Sequence, residues 1–124
     1  MNVGSRRYAN TLVVTVSGRL DQDSCEAFRG ELSGFVAQAA QQAGGVVLDL
    51  SGLEYISSAG LRCFMLASRE ARTKNARVVV ASLQPMVAEI FAISHFNLVF
   101  QVFPGVRDAL ASVSAQAATA FDQG

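Results

Sequence analysis

The sequence has few of the residues from which catalytic and metal-binding sites are usually built. It contains no tryptophan, one histidine, two prolines and two cysteines in 124 residues. One histidine and two separated cysteines do not make the ligand set of a zinc site. The cysteines, Cys25 and Cys63, provide no disulfide framework either, and both fall on or near apolar faces of predicted helices. We expect them to be small buried hydrophobic residues, and we expect neither a cofactor nor a metal.

The chain also lacks an excess of charge of either sign. Lys and Arg together number 10, as do Asp and Glu, so nothing favours nucleic acid or an anionic membrane as a partner. No apolar run approaches the ~18 residues of a membrane-spanning helix. No apolar segment follows the first arginines, as it would in a signal peptide. We expect a cytoplasmic protein that binds no nucleic acid and does not insert into a membrane.

Motifs of nucleotide-binding and hydrolytic enzymes are missing as well. There is no Gly-x-x-x-x-Gly-Lys-Ser/Thr and no Gly-x-Gly-x-x-Gly, the loops that cradle phosphates. A nucleophile elbow needs Gly-x-Ser-x-Gly, whereas Ile56 stands two residues before Ser58. The single histidine, His95, falls at the end of a predicted helix, where histidine tolerates the left-handed conformation. We therefore expect that the protein is not an enzyme.

What is present is the pattern of a compact α/β protein. The chain is 51% hydrophobic and 16% charged, which is typical of a globular domain. We assign residues 1–124 to a single domain, with a tail from about residue 115 that frays. Two strands are followed by helices and strands in alternation, which predicts a mixed five-stranded sheet packed with about four helices. The first two strands form an antiparallel hairpin, and βαβ units follow.

The hydrophobic periods set the expected bounds of these elements. The predicted strands are residues 3–8, Thr11–Ser17, Val46–Leu50, Ala76–Ala81 and Leu98–Val102. The first helix begins at a capping box of Asp23 and Glu26, with Ser24 as a competing cap. Either cap leaves Asp21 free at the edge of the sheet, although Asp21 can also be an ordinary turn residue.

The stretch from Val46 to Arg62 organises the rest of the prediction. A buried strand is followed by a polar loop, two adjacent hydroxyls and then a helix from about Ala59. This order delivers a serine to a helix N-terminus at the carboxyl edge of a sheet, where ligands and partners are met. Ser57 or Ser58 can simply cap the helix. A phosphate on Ser58 would also be accommodated there by the helix dipole.

Three segments together resemble the STAS domain of bacterial anti-sigma factor antagonists. They are Gly18-Arg-Leu-Asp21, Val47-Leu-Asp-Leu-Ser51 and Tyr55-Ile-Ser-Ser-Ala-Gly-Leu61. The resemblance continues through Phe91-Ala-Ile-Ser94 and the final helix, so it covers nearly the whole chain. It implies that Ser58 is a phosphorylation site. Ser57 stands where the family often has aspartate, and His95 where it commonly has glycine.

The resemblance also implies a function by partner switching. A GHKL-type serine kinase, usually itself the anti-sigma factor, binds the unphosphorylated antagonist and releases sigma. Phosphorylation of the serine breaks that complex, and a PP2C-type phosphatase restores it. The implied partner-binding residues are Asp21, Ser57, Ala59, Gly60, Leu61 and Arg62.

Two other functions remain open at this point. The first is a constitutive STAS interaction subunit of a transporter, lipid-trafficking, secretion or motility-control complex, without phospho-switching. The second is a module that binds a small ligand or a nucleotide.

Overall fold

The computed structural model describes all residues, Met1–Gly124. Its strands are β1 Asn2–Tyr8, β2 Thr11–Leu20, β3 Gly45–Ile56, β4 Arg77–Ala81 and β5 Val102–Phe103. Its helices are α1 Gln22–Gln41, α2 Ser58–Thr73, α3 Pro85–Ile93, α4 Val106–Val113 and α5 Ala115–Asp122, with a 3₁₀ turn at Phe96–Leu98.

The five strands form one sheet in the order β1-β2-β3-β4-β5. β1 and β2 pair antiparallel through the turn at Ala9 and Asn10, and Ala9 takes the positive φ of 55° that this tight reversal requires. The three following pairings are parallel. The predicted mixed sheet with its hairpin is therefore confirmed, with five helices around it.

β3 is longer than the sequence led us to expect. The polar loop predicted after Leu50 is instead the second half of the strand, which pairs with β2 as far as Ile56 opposite Leu20. Two register shifts interrupt that pairing, one of them beside Gly18, whose φ is +94°. Bulges of this kind break the simple alternation of buried and exposed residues, which is why the strand looked like a loop.

Helices cover both faces of the sheet. On one face α1, α2, α3 and the 3₁₀ turn close over a cluster of 22 buried side chains, and on the other α4 and α5 cover a cluster of 7. Alternate residues of each strand supply the two clusters, as in Val46 and Val47, because successive side chains point to opposite faces.

Two expectations for the C-terminal third are wrong. Leu98–Val102 is not a strand: the chain makes a 3₁₀ turn first, and β5 contains only two residues. Phe96 and Phe100, four residues apart, are both buried in the larger cluster, which is the spacing of a helical turn. His95 before them is left-handed, with φ of 59°, as predicted.

The tail also differs from the prediction, because residues from 115 onward form α5 rather than a frayed end. Ala117 and Ala118 are buried, and the ring of Phe121 meets that of Tyr8 edge-on at 5.3 Å between centroids. Small alanine side chains bring this helix close to its neighbours, although they carry little hydrophobic signal in the sequence.

Candidate functional site

The adjacent serines at the start of α2 have different positions. Ser57 is the N-cap residue, and its hydroxyl oxygen accepts a hydrogen bond from the backbone N–H of Gly60 at 3.1 Å. Ser58 is the first helical residue, and it is exposed. Of the two serines that could cap α2, Ser57 is therefore the one that does so. Ser57 satisfies the helix end, and the hydroxyl of Ser58 is not needed for it.

Gly60 anchors this helix start against the sheet. A Cβ at Gly60 would lie 2.6 Å from the backbone oxygen of Leu20 and 3.0 Å from Cγ1 of Ile56. The backbone N–H of Ser57 also donates to the oxygen of Leu20 at 2.9 Å. Because Gly60 is buried, it holds the first turn of α2 tightly against the carboxyl ends of β2 and β3.

Asp21 is the N-cap of α1, which corrects the expectation that Asp23 or Ser24 caps the helix and leaves Asp21 free. One oxygen of its carboxylate accepts from the backbone N–H of Asp23 at 3.0 Å and from that of Ser24 at 3.2 Å. The Ser24 hydroxyl accepts in return from the backbone N–H of Asp21 at 3.0 Å, so the two form the capping box. The hydrogen bond from the Ser24 backbone is the main cause that lowers the pKa of Asp21.

The two caps lie at the same edge of the sheet. Leu20 and Ile56 are paired across β2 and β3, so Asp21 and Ser57 follow neighbouring strand ends. Two helix N-termini therefore start side by side, and their outward N–H groups and dipoles favour negative charge at this edge.

A groove of roughly 770 Å³ runs between α1 and α2 from this edge, and Ser58, Ala59 and Arg62 line its α2 side. Arg29 lines it from α1. Ser58 and Arg62 are four residues apart on one helix, so they share a face. Leu61 instead turns toward the larger cluster of buried residues and packs against it.

The cysteines also line the groove, and this corrects the sequence prediction. Cys25 of α1 and Cys63 of α2 are joined in a disulfide with a Cα–Cα distance of 6.0 Å. Cys63 is only 2% exposed, as expected, whereas Cys25 is half-buried. Sequence reasoning missed the pair because 38 residues separate the cysteines, and only the packing register of the two helices brings them together.

A metal would have to use the same residues. The possible ligand atoms of Cys25, Glu26 and Cys63 lie within 4.8 Å of one another. The two sulfurs are bonded to each other, however, and a metal needs free thiolates. The chemistry of this donor set therefore fits a thiol–disulfide pair better than a cation.

Besides the disulfide, a hydrogen bond between side chains joins α1 and α2 farther along the two helices. The Ser33 hydroxyl donates to the carboxylate of Glu70 at 2.6 Å, and this bond is the main cause that lowers the pKa of Glu70, followed by Lys74.

None of the helices is both long enough and apolar enough to cross a lipid bilayer.

Comparison with known proteins identifies the fold and the family. The family described as Mlab, STAS domain matches residues 3–101. Over 91 residues the chain is 36% identical to BtrV of Bordetella bronchiseptica, a protein with the provisional name of anti-sigma factor antagonist; the match covers 73% of this chain and 76% of BtrV.

Solved structures agree on the architecture. An anti-sigma factor antagonist from Mycobacterium paratuberculosis superposes with a TM-score of 0.79 at 22% identity, over 90% of this chain and 92% of that one. The phosphorylated form of the Bacillus cell fate determinant SpoIIAA gives 0.65 at 17% identity, over 90% and 98%. At these identities the likeness concerns the fold alone. The family match together with the BtrV relative establishes that this chain belongs to the STAS domain family.

Proposed function

We propose that this chain is an anti-sigma factor antagonist that works by partner switching, with Ser58 as its phosphorylation site. The observation that carries the proposal is the exposed position of Ser58 at the first residue of α2, with the cap already made by Ser57. The name of BtrV supports the antagonist role. The existence of a phosphorylated SpoIIAA with the same fold supports a phosphate on this framework.

The chemistry of the modification would come from the partner. A GHKL-type serine kinase, itself the anti-sigma factor, would bring ATP to the exposed edge. The Ser58 oxygen attacks the γ-phosphorus, the bond to the β-phosphate oxygen breaks, ADP leaves, and the hydroxyl proton passes to a base of the kinase. The antagonist is the substrate and supplies only the nucleophile. A PP2C-type phosphatase would return the hydroxyl by hydrolysis.

The phosphate would act on binding rather than on folding. It adds roughly −1.5 to −2 charges at a helix N-terminus, where negative charge is favoured by ~0.3–1 kcal/mol. Arg62, one turn along the same face, adds a cation to that environment. A partner surface that is acidic or apolar would instead meet an unfavourable dianion. A cost of roughly 3 kcal/mol would weaken the complex about a hundredfold.

The proposed partner surface divides into contact residues and supporting residues. Ser58, Ala59 and Arg62 line the open groove, and Asp21 lies at the neighbouring strand end. Ser57 and Gly60 support this surface through the cap and the close packing. We infer that the partner is a protein met in the cytoplasm, with neither nucleic acid nor membrane insertion involved.

The test is phosphorylation by the cognate kinase with ATP, followed by intact-mass and peptide analysis. Wild type should gain one phosphate at Ser58, and Ser58→Ala should gain none. Ser51→Ala, at another exposed serine, in the middle of β3, is the matched control and should be phosphorylated as wild type is.

Binding provides the second half of the test. Ser58→Asp should fold normally but bind the kinase more weakly, measured by calorimetry without ATP. Equal affinity of Ser58→Asp and wild type would contradict the switch, even if Ser58 is phosphorylated.

The alternative is a constitutive STAS interaction subunit that docks through the same edge without modification. Ser57 favours it, because the hydroxyl there is used in the cap and the carboxylate that the family often has beside the phosphoserine is missing. Intact-mass analysis of the protein from its own cells, grown under changing conditions, separates the two. A mass that never changes favours the constitutive subunit.

A further inference from the structure

We propose that Cys25 and Cys63 are a reversible oxidation site for hydroperoxides, and that their disulfide restrains the helix turn that carries Ser58. The first statement is independent of the proposed function. The second deepens it, because it makes the phosphorylation of Ser58 depend on the oxidation state of the chain.

The two cysteines can be oxidised without any rearrangement of the fold. Their Cα atoms are 6.0 Å apart, well inside the range of ordinary disulfides. They lie on two packed helices, α1 and α2, that are also joined by the Ser33–Glu70 hydrogen bond. The dithiol and the disulfide therefore require the same helix packing.

The surroundings assign different roles to the two sulfurs. Both cysteines line the groove, but Cys25 is only half-buried whereas Cys63 is almost fully buried. Arg29 and Arg62 line the same groove, but so does Glu26, whose carboxylate lies within 4.8 Å of both sulfurs, so exposure rather than charge distinguishes the two cysteines, and reactive cysteines are partly exposed. Cys25 is thus the residue that meets the oxidant, and Cys63 resolves the product.

The reaction balances with one hydroperoxide. The Cys25 thiolate attacks the terminal peroxide oxygen, the O–O bond breaks, and the alcohol (or water, from hydrogen peroxide) leaves with a proton. The Cys63 thiol then attacks the resulting Cys25 sulfenic acid, its proton leaves with the sulfenic oxygen as one molecule of water, and the S–S bond forms. Two thiols have lost two electrons and the peroxide has gained them. A small dithiol reverses the step by exchange.

The bond lies next to the phosphorylation site. The Cys25 sulfur is 3.6 Å from the backbone oxygen of Ala59, the residue after Ser58, and Cys63 is five residues from Ser58 on α2. Oxidation therefore ties the first turn of α1 to the second turn of α2, directly after the turn that carries Ser58. A kinase must draw the Ser58 hydroxyl into its own active site, which requires some opening of this turn, and a covalent tie to α1 opposes that opening.

The first experiment needs no kinase. The reduced full-length chain is treated with stoichiometric hydrogen peroxide, the remaining thiols are counted by alkylation and mass analysis, and backbone hydrogen exchange is compared between the reduced and oxidised forms. We expect a Cys25–Cys63 disulfide that a dithiol reverses, and amides of residues 59–63 that exchange roughly tenfold more slowly when oxidised. Cys25→Ser is the matched control and should show no difference in exchange.

Thiols that remain free, or that proceed to sulfinic acid without pairing, would overturn the oxidation site. Equal exchange in the two forms would overturn the restraint on α2.

The second experiment measures phosphorylation of each form by the kinase. The oxidised chain should be phosphorylated roughly tenfold more slowly than the reduced chain, and Cys25→Ser should match the reduced wild type. Equal rates would overturn the link to Ser58 while leaving the proposed function intact. No phosphorylation of the reduced chain would instead overturn the proposed function, and the thiol and exchange measurements would still decide the oxidation site.

Discussion

Helices cover both faces of the sheet, but the two layers are built from different material. The layer of α1, α2 and α3 closes over 22 buried residues, among them Phe28, Phe64 and Phe91, whose rings pack at 5.1 and 6.2 Å between centroids. The layer of α4 and α5 covers 7, mostly valine and alanine. The candidate site lies at the edge of the first layer, so its serine is mounted on the better packed part of the molecule.

The difference shows which part of the molecule holds its helices more firmly. Close packing around α2 holds the start of this helix, and with it the Ser58 hydroxyl, in one position in the free chain. The second layer closes the sheet with small side chains and exposed polar contacts, which require less exact packing. The following predictions test this contrast, beginning with the largest expected effect.

Truncation of one aromatic residue in each layer should show the largest difference in lost stability between the two layers. Phe64→Ala should lower the free energy of unfolding by about 3–5 kcal/mol, because the ring is fully buried among three others. Phe121→Ala, in α5, should cost about 1–2 kcal/mol, since that ring is half-buried. Urea denaturation followed by circular dichroism measures both. Equal losses would mean that the second layer is as tightly packed as the first.

Within the first layer, where Gly60 is tightly packed and Gly30 is not, a methyl group at each glycine should change the stability in opposite directions. Gly60→Ala should destabilise by about 1–3 kcal/mol, because its Cβ would lie 2.6 Å from the Leu20 backbone oxygen. Gly30→Ala, in the middle of α1 with nothing within 4 Å of its Cβ, should stabilise by ~0.5–1 kcal/mol. Thermal denaturation of the two variants shows whether each substitution raises or lowers the melting temperature. Stabilisation by both would show that the start of α2 is free to shift.

Removal of one helix cap in each layer is a smaller test. Ser57→Ala should cost about 1 kcal/mol, because it leaves the Gly60 N–H without its 3.1 Å hydrogen bond. Ser114→Ala removes the equivalent bond to Ala117 N–H at 3.2 Å and should cost about half as much, since α5 is a short terminal helix. Denaturation with hydrogen exchange of each first turn measures both. If Ser57→Ala left the free energy of unfolding unchanged, the proposed role of this cap would be contradicted.

Acid titration should have the smallest effect, with a different salt dependence in each layer. Hydrogen bonds lower the pKa of Glu70, from Ser33, and that of Asp122, from Arg107, so both carboxylates stabilise the fold at neutral pH. Those contributions are lost as the pH falls below the ordinary values of 4.5 and 3.8 and through the lowered ones. Added salt should weaken the exposed Arg107–Asp122 pair and spare the Ser33–Glu70 bond.

Melting temperatures of Glu70→Gln and Asp122→Asn between neutral and acid pH provide the measurement. Each variant should show a shallower decline than wild type. An identical pH dependence of Glu70→Gln and wild type would contradict the lowered pKa.

Much of the fold could be predicted because it rests on local patterns. The nearly continuous apolar runs within Val46–Leu50 and Ala76–Ala81 predict buried parallel strands, and the position of Ser58 at the start of an amphipathic helix follows from spacing alone. The tail was mispredicted because alanine carries a weak hydrophobic signal, and α5 depends on a contact between Tyr8 and Phe121, which are at opposite ends of the chain.

The parts of the site that were missed depend on geometry that spacing does not encode. Asp21, Asp23 and Ser24 all cap helices well, and the choice among them followed from how far β2 extends past its bulge. The pairing of Cys25 with Cys63 depends on the rotation of two helices about their axes. Such rotations are fixed by packing across the whole interface.

The direct passage from β3 through Ser57 into α2 has a consequence for how this surface can evolve. Each residue advances an α-helix by about 100°, so one residue inserted or deleted between Ser58 and Gly60, which is packed against Leu20, would turn the hydroxyl away from the edge. Elsewhere, as at Gln42–Gly44 between α1 and β3, a connection can lengthen without cost to the site. We therefore expect the surface at the start of α2 to tolerate changes of side chain better than changes of length within this first turn.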